Sequence, residues 1–197
     1  MWTSRHRRPD WERTILEGAR PFSLRYGSVT LPAWSGGEWP TVLLLHGWEG
    51  RGSQLGTFVA PLVARGHRVV TFDFPGHGDA PDAPVSVVEF ARVLRAVHGQ
   101  LGPLESIIAH SVGGAAAALA LRDGPFADRL VTLGSPRGPR RFFDGFARLL
   151  GLDEATQKAT EARLEARYGL SLDAIDAAHF ASDVAANVLV IHDKDDR

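Results

Sequence analysis

Five short, almost continuous apolar runs restrict the fold of this chain more than any other feature, and helical patterns separate most of them. The runs show no alternation of apolar and polar residues, so each is typical of a strand buried on both faces of a parallel sheet. In chain order they are TVLLLH from Thr41, HRVVTFDF from His67, ESIIAH from Glu105, RLVTLG from Arg129 and NVLVIH from Asn187. Strands that alternate with helices predict an α/β fold with a mostly parallel central sheet flanked by helices.

The segments around these runs complete the predicted architecture. Phe22 to Tyr26 and Ser28 to Trp34 are typical of two short strands, because a glycine separates them and both are rich in strand-forming residues. Apolar residues recur at helical spacing over Gln54 to Arg65, Val85 to Gln100 and Val112 to Leu121. Each of these helices lies between two apolar runs, which is what parallel neighbouring strands need.

One connection is too long for a single crossover helix. About fifty residues separate the fourth and fifth apolar runs. Three helical segments are predicted there, over Phe142 to Leu150, Ala155 to Tyr168 and Leu172 to Phe180. We therefore expect a helical lid insertion at residues 137–182, with residues 1–136 and 183–197 forming the core. Packed helices without a gating role are the alternative.

A serine lies where the third apolar run meets the helix after it. In the stretch IIAHSVGGAAAALA, Ser111 follows Ala109 by two residues and precedes Gly113 and Gly114. Small neighbours permit the sharp strand-to-helix turn that lifts a nucleophilic hydroxyl out of a sheet. Ligands of parallel sheets also bind at the carboxyl ends of the strands. Ser111 is therefore a candidate nucleophile, and an ordinary helix N-cap is its alternative role.

Four motifs in one order make the chain resemble the α/β-hydrolase superfamily of serine esterases and lipases. The stretch LLLHGWEG resembles the family's oxyanion loop, and DFPGHGDA resembles its D-x-P-G-H-G loop. The stretch AHSVGG resembles the nucleophile elbow, with alanine in place of its first glycine, and VLVIHDKDDR resembles the strand that delivers the acid. The resemblance covers nearly the whole chain. It implies the α/β-hydrolase fold and cleavage of a carboxylic ester or thioester through an acyl-enzyme on Ser111.

The resemblance also implies roles for other residues. The backbone N–H groups of Trp48 and Val112 form the implied oxyanion hole, and the Trp48 indole and His110 are implied to line the substrate pocket. The pattern H-G-x-x-D puts the triad acid at Asp196. Asp195 is its competitor, and a turn carboxylate is the other interpretation of either aspartate. The resemblance implies no metal and no cofactor.

The base that would activate the serine has no candidate at the expected place. The family's chain order is serine, acid, histidine, whereas all eight histidines precede Asp196: His6, His46, His67, His77, His98, His110, His179 and His192. His179 would reach the site only through an unusual topology. His46, His77 and His110 are expected to order loops rather than to transfer protons. The run NVLVIH would also form a long apolar sheet edge. We therefore expect a fragment of a longer polypeptide, or a chain completed by a partner.

Composition excludes several classes of function. The 197 residues suffice for one sizeable core, and their net charge of −1 predicts no attraction to nucleic acid or anionic lipid. We expect neither a nucleic-acid nor a membrane partner, and Arg137, Arg140 and Arg141 are interpreted as solvated surface. The absence of cysteine excludes a disulfide framework, a thiolate metal site and a cysteine nucleophile.

These observations predict a cytoplasmic protein that acts on a small-molecule ester or acyl substrate. The N-terminus lacks an apolar secretory segment, and no apolar stretch approaches the ~18 residues of a bilayer span. Two alternatives remain: a binding protein on a hydrolase fold without its base, and an acyltransferase with the same nucleophile. A nucleotide-binding loop is excluded, because GHGDA does not have the G-x-G-x-x-G spacing and no Walker lysine is present.

Overall fold

The computed structural model describes residues 10–195, whose strands form one seven-stranded sheet. The strands are β1 (Arg20–Tyr26), β2 (Val29–Gly36), β3 (Thr41–Leu45), β4 (Arg68–Phe72), β5 (Leu104–His110), β6 (Ala127–Leu133) and β7 (Asn187–Ile191). Their order across the sheet is β1-β2-β4-β3-β5-β6-β7. β2 pairs antiparallel with β1 and β4, and the other neighbours pair parallel. The predicted α/β fold with a mostly parallel sheet is confirmed.

The central strands are buried on both faces, as their sequences predict. All five residues of β3 are buried, and Val69 to Phe72 of β4 are buried beside them. Full burial of a leucine or valine side chain stabilises the fold by about 1.5–3 kcal/mol. These two strands without apolar–polar alternation therefore lie inside the sheet, between β2 and β5.

The strand β7 differs from the other apolar runs because it lies at one end of the strand order. Its neighbour β6 pairs with it in parallel, from Arg129 opposite Asn187 to Leu133 opposite Ile191. Its apolar side chains are 47% to 64% exposed. The strand was predicted correctly, but its predicted burial on both faces is wrong for the described residues, because they leave both faces of β7 largely uncovered.

Seven α-helices are described in residues 10–195: α1 (Asp10–Ile15), α2 (Val59–Ala64), α3 (Val87–Leu101), α4 (Val112–Arg122), α5 (Arg140–Leu149), α6 (Glu154–Tyr168) and α7 (Ala177–Phe180). α3 and α4 agree with the prediction. The helix predicted from Gln54 is shorter, because a 3-10 turn at Gly56–Phe58 precedes α2. Pro61 lies in the first turn of α2, where its missing N–H costs no helical hydrogen bond. In this described part, no helix is both long and apolar enough to cross a bilayer.

The main core lies between the sheet and the helices α3 and α4. α3 begins after Ser86, whose hydroxyl accepts the N–H of Glu89 at 3.2 Å. The rings of Phe74 and Phe90 stack with centroids 3.9 Å apart. This contact holds the loop after β4 against α3, close to the carboxyl ends of the central strands.

The long connection between β6 and β7 contains helices, as predicted, but its third segment is interrupted. Asp176 has an extended backbone (φ −80°, ψ 123°) between a 3-10 turn at Asp173–Ile175 and α7, and its carboxylate accepts the N–H of Ala178 at 3.0 Å. The prediction of one helix over Leu172 to Phe180 is therefore wrong at Asp176, because the aspartate caps a new helix there. Arg140 joins the segments through Glu161 at 2.6 Å and Asp173 at 3.0 Å.

Candidate active site

The candidate active site lies at the carboxyl ends of β3, β4, β5 and β6, where four loops meet. This is the edge at which parallel sheets bind ligands. Ser111 directly follows β5 and directly precedes α4. Its backbone N–H donates to the carbonyl of Leu133, the last residue of β6, at 2.9 Å. The neighbouring strand thereby fixes the position of the serine.

The backbone of Ser111 is strained. Its φ of 51° and ψ of −127° lie in a region that L side chains rarely adopt, at a cost of about 1–3 kcal/mol. Its hydroxyl makes no capping hydrogen bond to α4. An ordinary N-cap has an extended backbone and accepts a helical N–H. The structure therefore does not support the alternative role of Ser111 as a helix cap.

Glycines around Ser111 allow three segments to approach closely. A Cβ atom on Gly47 would lie 2.9 Å from the Cβ of Ser111 and 2.9 Å from His110 Nδ1. A Cβ on Gly113 would collide with the carbonyl oxygen of His46, and one on Gly114 would collide with the hydroxyl of Ser135. The small residues predicted beside the serine are thus needed for packing between β3, β5 and α4.

The two predicted oxyanion donors lie on adjoining segments. Trp48 occupies a tight turn in which the N–H of Gly50 donates to the carbonyl of Gly47 at 3.1 Å, and Glu49 within it has a positive φ of 55°. Val112 is the first residue of α4, so its N–H has no partner within the helix. The contact between Gly113 and the His46 carbonyl joins the two segments. The segments that carry Trp48 and Val112 therefore adjoin beside Ser111.

His46 is a structural residue at neutral pH. Its side chain is buried, with 1% exposed. Its Nε2 accepts the N–H of Phe74 at 3.1 Å, so the proton of the neutral ring is on Nδ1. Nδ1 donates to the carbonyl of Gly47 at 2.8 Å. Burial lowers the pKa of His46 to about 3. The neutral ring therefore joins the loop after β3 to the loop after β4, as the sequence predicted.

Asp73, to which no motif assigned a role, fixes the same two loops. Its carboxylate is fully buried and accepts the N–H groups of Gly52 at 2.6 Å and Asp79 at 2.7 Å. Burial raises the pKa of Asp73 above its usual value, whereas these hydrogen bonds lower it. The available signal was an aspartate directly after a buried strand, at the start of the glycine-rich stretch DFPGHGDA.

Ser111 lines a cavity of about 1630 Å³ that the long connection also borders. His110 lines it, and burial lowers the pKa of this histidine. The buried atoms His110 Nδ1 and Ser135 Oγ have no hydrogen-bond partner among the described residues. Trp48 is not among the described residues that line this cavity; its indole packs edge-on against His77, with centroids 5.6 Å apart. The geometry thus brings His110 to the serine's cavity and directs the Trp48 side chain elsewhere.

Of the two aspartates predicted as the acid, the structure describes Asp195. Asp196 lies outside the described residues. Asp195 is exposed and donates its backbone N–H to the carboxylate of Asp193 at 2.9 Å, which is a turn arrangement. His110 and His192 are the histidines among residues 10–195 that line the cavity, whereas His179 is exposed on α7 and is not one of the cavity residues described.

Comparison with known proteins supports the motif-based interpretation. The model of the alpha/beta hydrolase family matches residues 42–196. The mouse (Mus musculus) sn-1-specific diacylglycerol lipase ABHD11 is 34% identical over 122 residues, which are 58% of this chain and 37% of that protein. Mouse protein phosphatase methylesterase 1 is 34% identical over 91 residues, 42% of this chain and 24% of that protein.

A solved structure shares the architecture as well. The thioesterase domain from the curacin biosynthetic pathway is 27% identical, with a TM-score of 0.57 over 62% of this chain and 46% of that one. The matched part of this chain spans less than half the length of each of these three relatives. The strained serine between β5 and α4, the parallel sheet and the family match over residues 42–196 lead to one conclusion: the chain belongs to the alpha/beta hydrolase family.

Proposed function

We propose that Ser111 is the nucleophile of a serine hydrolase that cleaves a carboxylic ester or thioester through an acyl-enzyme. The observation that carries this proposal is the strained backbone of Ser111, with φ 51° and ψ −127° and no capping bond from its hydroxyl. Strain of this kind persists where the surrounding structure enforces it and is frequent at active sites. The names of the relatives agree with this chemistry, because a lipase, a methylesterase and a thioesterase are among them.

In the proposed reaction, the hydroxyl oxygen of Ser111 attacks the carbonyl carbon and its proton passes to a general base. The carbonyl π electrons move to the oxygen, where the backbone N–H groups of Trp48 and Val112 stabilise the negative charge. Collapse of this intermediate breaks the bond to the alcohol or thiol, which takes the proton from the base. Water then repeats the attack on the acyl-enzyme, releasing the acid and restoring the serine.

The acid in this proposal is Asp196, which would orient a histidine as the base. Among the described residues that line the cavity, His110 and His192 are the histidines that can be tested as this base. Replacing either with glutamine would abolish hydrolysis if that residue is the base. Asp195 remains the competing acid.

The segment of residues 137–182 is proposed as a lid over the core formed by residues 1–136 and 183–197. Phe142, Phe146 and Leu149 of this segment line the same cavity as Ser111. Their apolar side chains would contact an acyl group bound to the serine, so we expect this segment to set the acyl-chain preference. Exchanging it for the corresponding segment of another family member should change the relative rates on short-chain and long-chain esters.

The proposal is tested by ester hydrolysis with a matched pair of serine variants. Ser111→Ala should abolish turnover of a short-chain aryl ester while the thermal unfolding midpoint stays close to that of the parent. Ser135→Ala is the control, because Ser135 lines the same cavity but is not the proposed nucleophile. Near-parental turnover by the Ser111 variant would refute the assignment. Faster acyl transfer to an added alcohol than to water would favour an acyltransferase, and no turnover by the parent would favour a binding protein on this fold.

A further inference from the structure

Gly47 lies directly against the candidate nucleophile. A Cβ atom placed on this glycine would be 2.9 Å from the Cβ of Ser111 and 3.3 Å from the carbonyl oxygen of His110. Gly47 is itself buried. Because the peptide bond is planar, a rotation of the Gly47 backbone changes the direction of the N–H of Trp48, the next residue. The contacts that hold Gly47 therefore set the direction of that N–H.

Both polar groups of the Gly47 backbone are hydrogen-bonded. Its N–H donates to Oε1 of Gln54 at 2.8 Å. Its carbonyl accepts hydrogen bonds from Nδ1 of His46 at 2.8 Å and from the N–H of Gly50 at 3.1 Å. The peptide bond between Gly47 and Trp48 is trans, so the N–H of Trp48 points away from this carbonyl. In the described part of the chain that N–H has no hydrogen-bond partner of its own, so its direction depends on how Gly47 is held.

The amide group of Gln54 lies inside the turn that follows β3. A Cβ atom on Gly50 would be 2.7 Å from Oε1 of Gln54 and 3.0 Å from its Cδ. A side chain at residue 50 would therefore push the glutamine amide away from the N–H of Gly47. The glycine leaves the room that the amide needs, and the amide fills the turn beside Gly47.

The backbone just before Gln54 is anchored to two other elements. The carbonyl of Gly52 accepts the hydroxyl of Thr71 in β4 at 2.8 Å. The hydroxyl of Ser53 donates to the carboxylate of Glu12 in α1 at 2.5 Å. Gly52 and Ser53 are both buried. The side chain of Gln54 therefore extends from a fixed position, and its amide connects that position to the turn.

We propose that Gln54 is a positioning residue of the hydrolase: its amide oxygen holds Gly47 and thereby directs the N–H of Trp48 to the oxyanion. This inference rests on the proposed function and adds to it a residue that none of the four motifs contains. A donor of the oxyanion hole is effective because it is already in place when the negative charge develops. In this proposal Gln54 contacts no reacting atom and acts on the reaction through the turn.

Steady-state kinetics of the full chain on a short-chain aryl ester test this role. Gln54→Leu removes the acceptor oxygen, so the N–H of Gly47 loses its partner. We expect kcat to fall by about 10- to 100-fold while KM changes by less than about twofold, because a misdirected oxyanion donor weakens binding of the transition state and not of the substrate. A substitution that only loosened the fold would lower the unfolding midpoint without this separation of kcat from KM.

Gln100→Leu is the matched control. The amide oxygen of Gln100, in the last turn of α3, also accepts a backbone N–H at 2.8 Å, that of Arg25 in β1. Loss of this equivalent hydrogen bond should leave kcat and KM at their parental values, whatever it does to the unfolding midpoint. The comparison of the two variants separates the loss of a hydrogen bond from the loss of positioning.

Amide hydrogen exchange, followed by NMR on the full chain without substrate, provides a second measurement that does not depend on turnover. In Gln54→Leu the N–H of Gly47 should exchange at least about fivefold faster than in the parent, which is the effect of losing one hydrogen bond. Gln54→Glu keeps an acceptor oxygen at the same position, so its Gly47 N–H should exchange at close to the parental rate.

Three results would overturn this inference alone. Unchanged exchange of Gly47 in Gln54→Leu would show that the amide does not hold the turn, and parental kcat in that variant would show that it does not position the oxyanion donor. An equal fall of kcat in Gln100→Leu would assign the loss to general destabilisation. No turnover by the parent would instead refute the proposed function, and this inference with it, so the two failures are distinguishable.

Discussion

Replacing Asp73 with asparagine should destabilise the protein by about 2 kcal/mol. The buried carboxylate accepts N–H groups from Gly52 at 2.6 Å and Asp79 at 2.7 Å. An amide has a single acceptor oxygen, so one of these N–H groups would face another donor, at a cost of about 1–3 kcal/mol. Losing a charged acceptor adds to that cost. Burial raises the pKa of Asp73, which means that the buried charge is itself costly, so replacing it with a neutral amide recovers part of the loss. For a chain of this size, about 2 kcal/mol lowers the unfolding midpoint by about 4–8 °C.

Circular dichroism during heating measures this effect, with Asp79→Asn as the control. Asp79 has an exposed side chain and donates its backbone N–H to Asp73, which the substitution keeps. The control should therefore stay within about 0.5 kcal/mol of the parent. Because Asp73 joins the loop after β3 to the loop after β4, its variant should also slow any reaction at Ser111. An unfolding midpoint equal to that of the control would refute the proposed role of these hydrogen bonds.

Three further predictions concern the same edge of the sheet. Burial lowers the pKa of His46 to about 3, so as the pH falls the unfolded chain binds a proton at this histidine before the folded chain does. The free energy of unfolding should therefore fall by about 4–5 kcal/mol between pH 6.5 and pH 3. Urea titrations should show that the free energy of unfolding depends less steeply on pH in His46→Gln, and an unchanged dependence would contradict this. Gly113→Ala should cost about 1–3 kcal/mol, whereas Gly99→Ala, with open space around it in α3, should not destabilise; equal unfolding midpoints would disprove the packing argument. Asp196→Asn should lower ester turnover far more than Asp195→Asn, and the reverse ranking would move the acid.

The central strands and the serine turn were predictable because local sequence determines them. The five residues of β3 are apolar or β-branched without alternation, which is typical of a strand that lies between two neighbours with both faces covered. Ser111 was recognisable because glycine follows at two positions where three segments approach closely. In both cases the residue types at a few consecutive positions indicate the environment that the fold imposes on them.

The burial of Asp73, the helix break at Asp176 and the direction of the Trp48 indole depend on tertiary contacts, which a local sequence pattern does not predict. The burial of Asp73 follows from the way two loops fold over it, and an aspartate after a strand is equally compatible with an exposed turn. Asp176 interrupts a predicted helix because its carboxylate caps α7 and pairs with Arg137 across the insertion. The direction of the Trp48 indole is set by its contact with His77, which lies on a different loop.

The central claim, that Ser111 is an activated nucleophile, is tested most directly by intact mass spectrometry before and after reaction with a fluorophosphonate probe. The protein should gain the mass of one adduct, peptide mapping should place it on Ser111, and Ser111→Ala should gain none. The same experiment shows whether the purified protein has the 21.3 kDa mass of this chain or a larger one. An adduct on another residue, or no adduct on a protein that hydrolyses esters, would contradict the account.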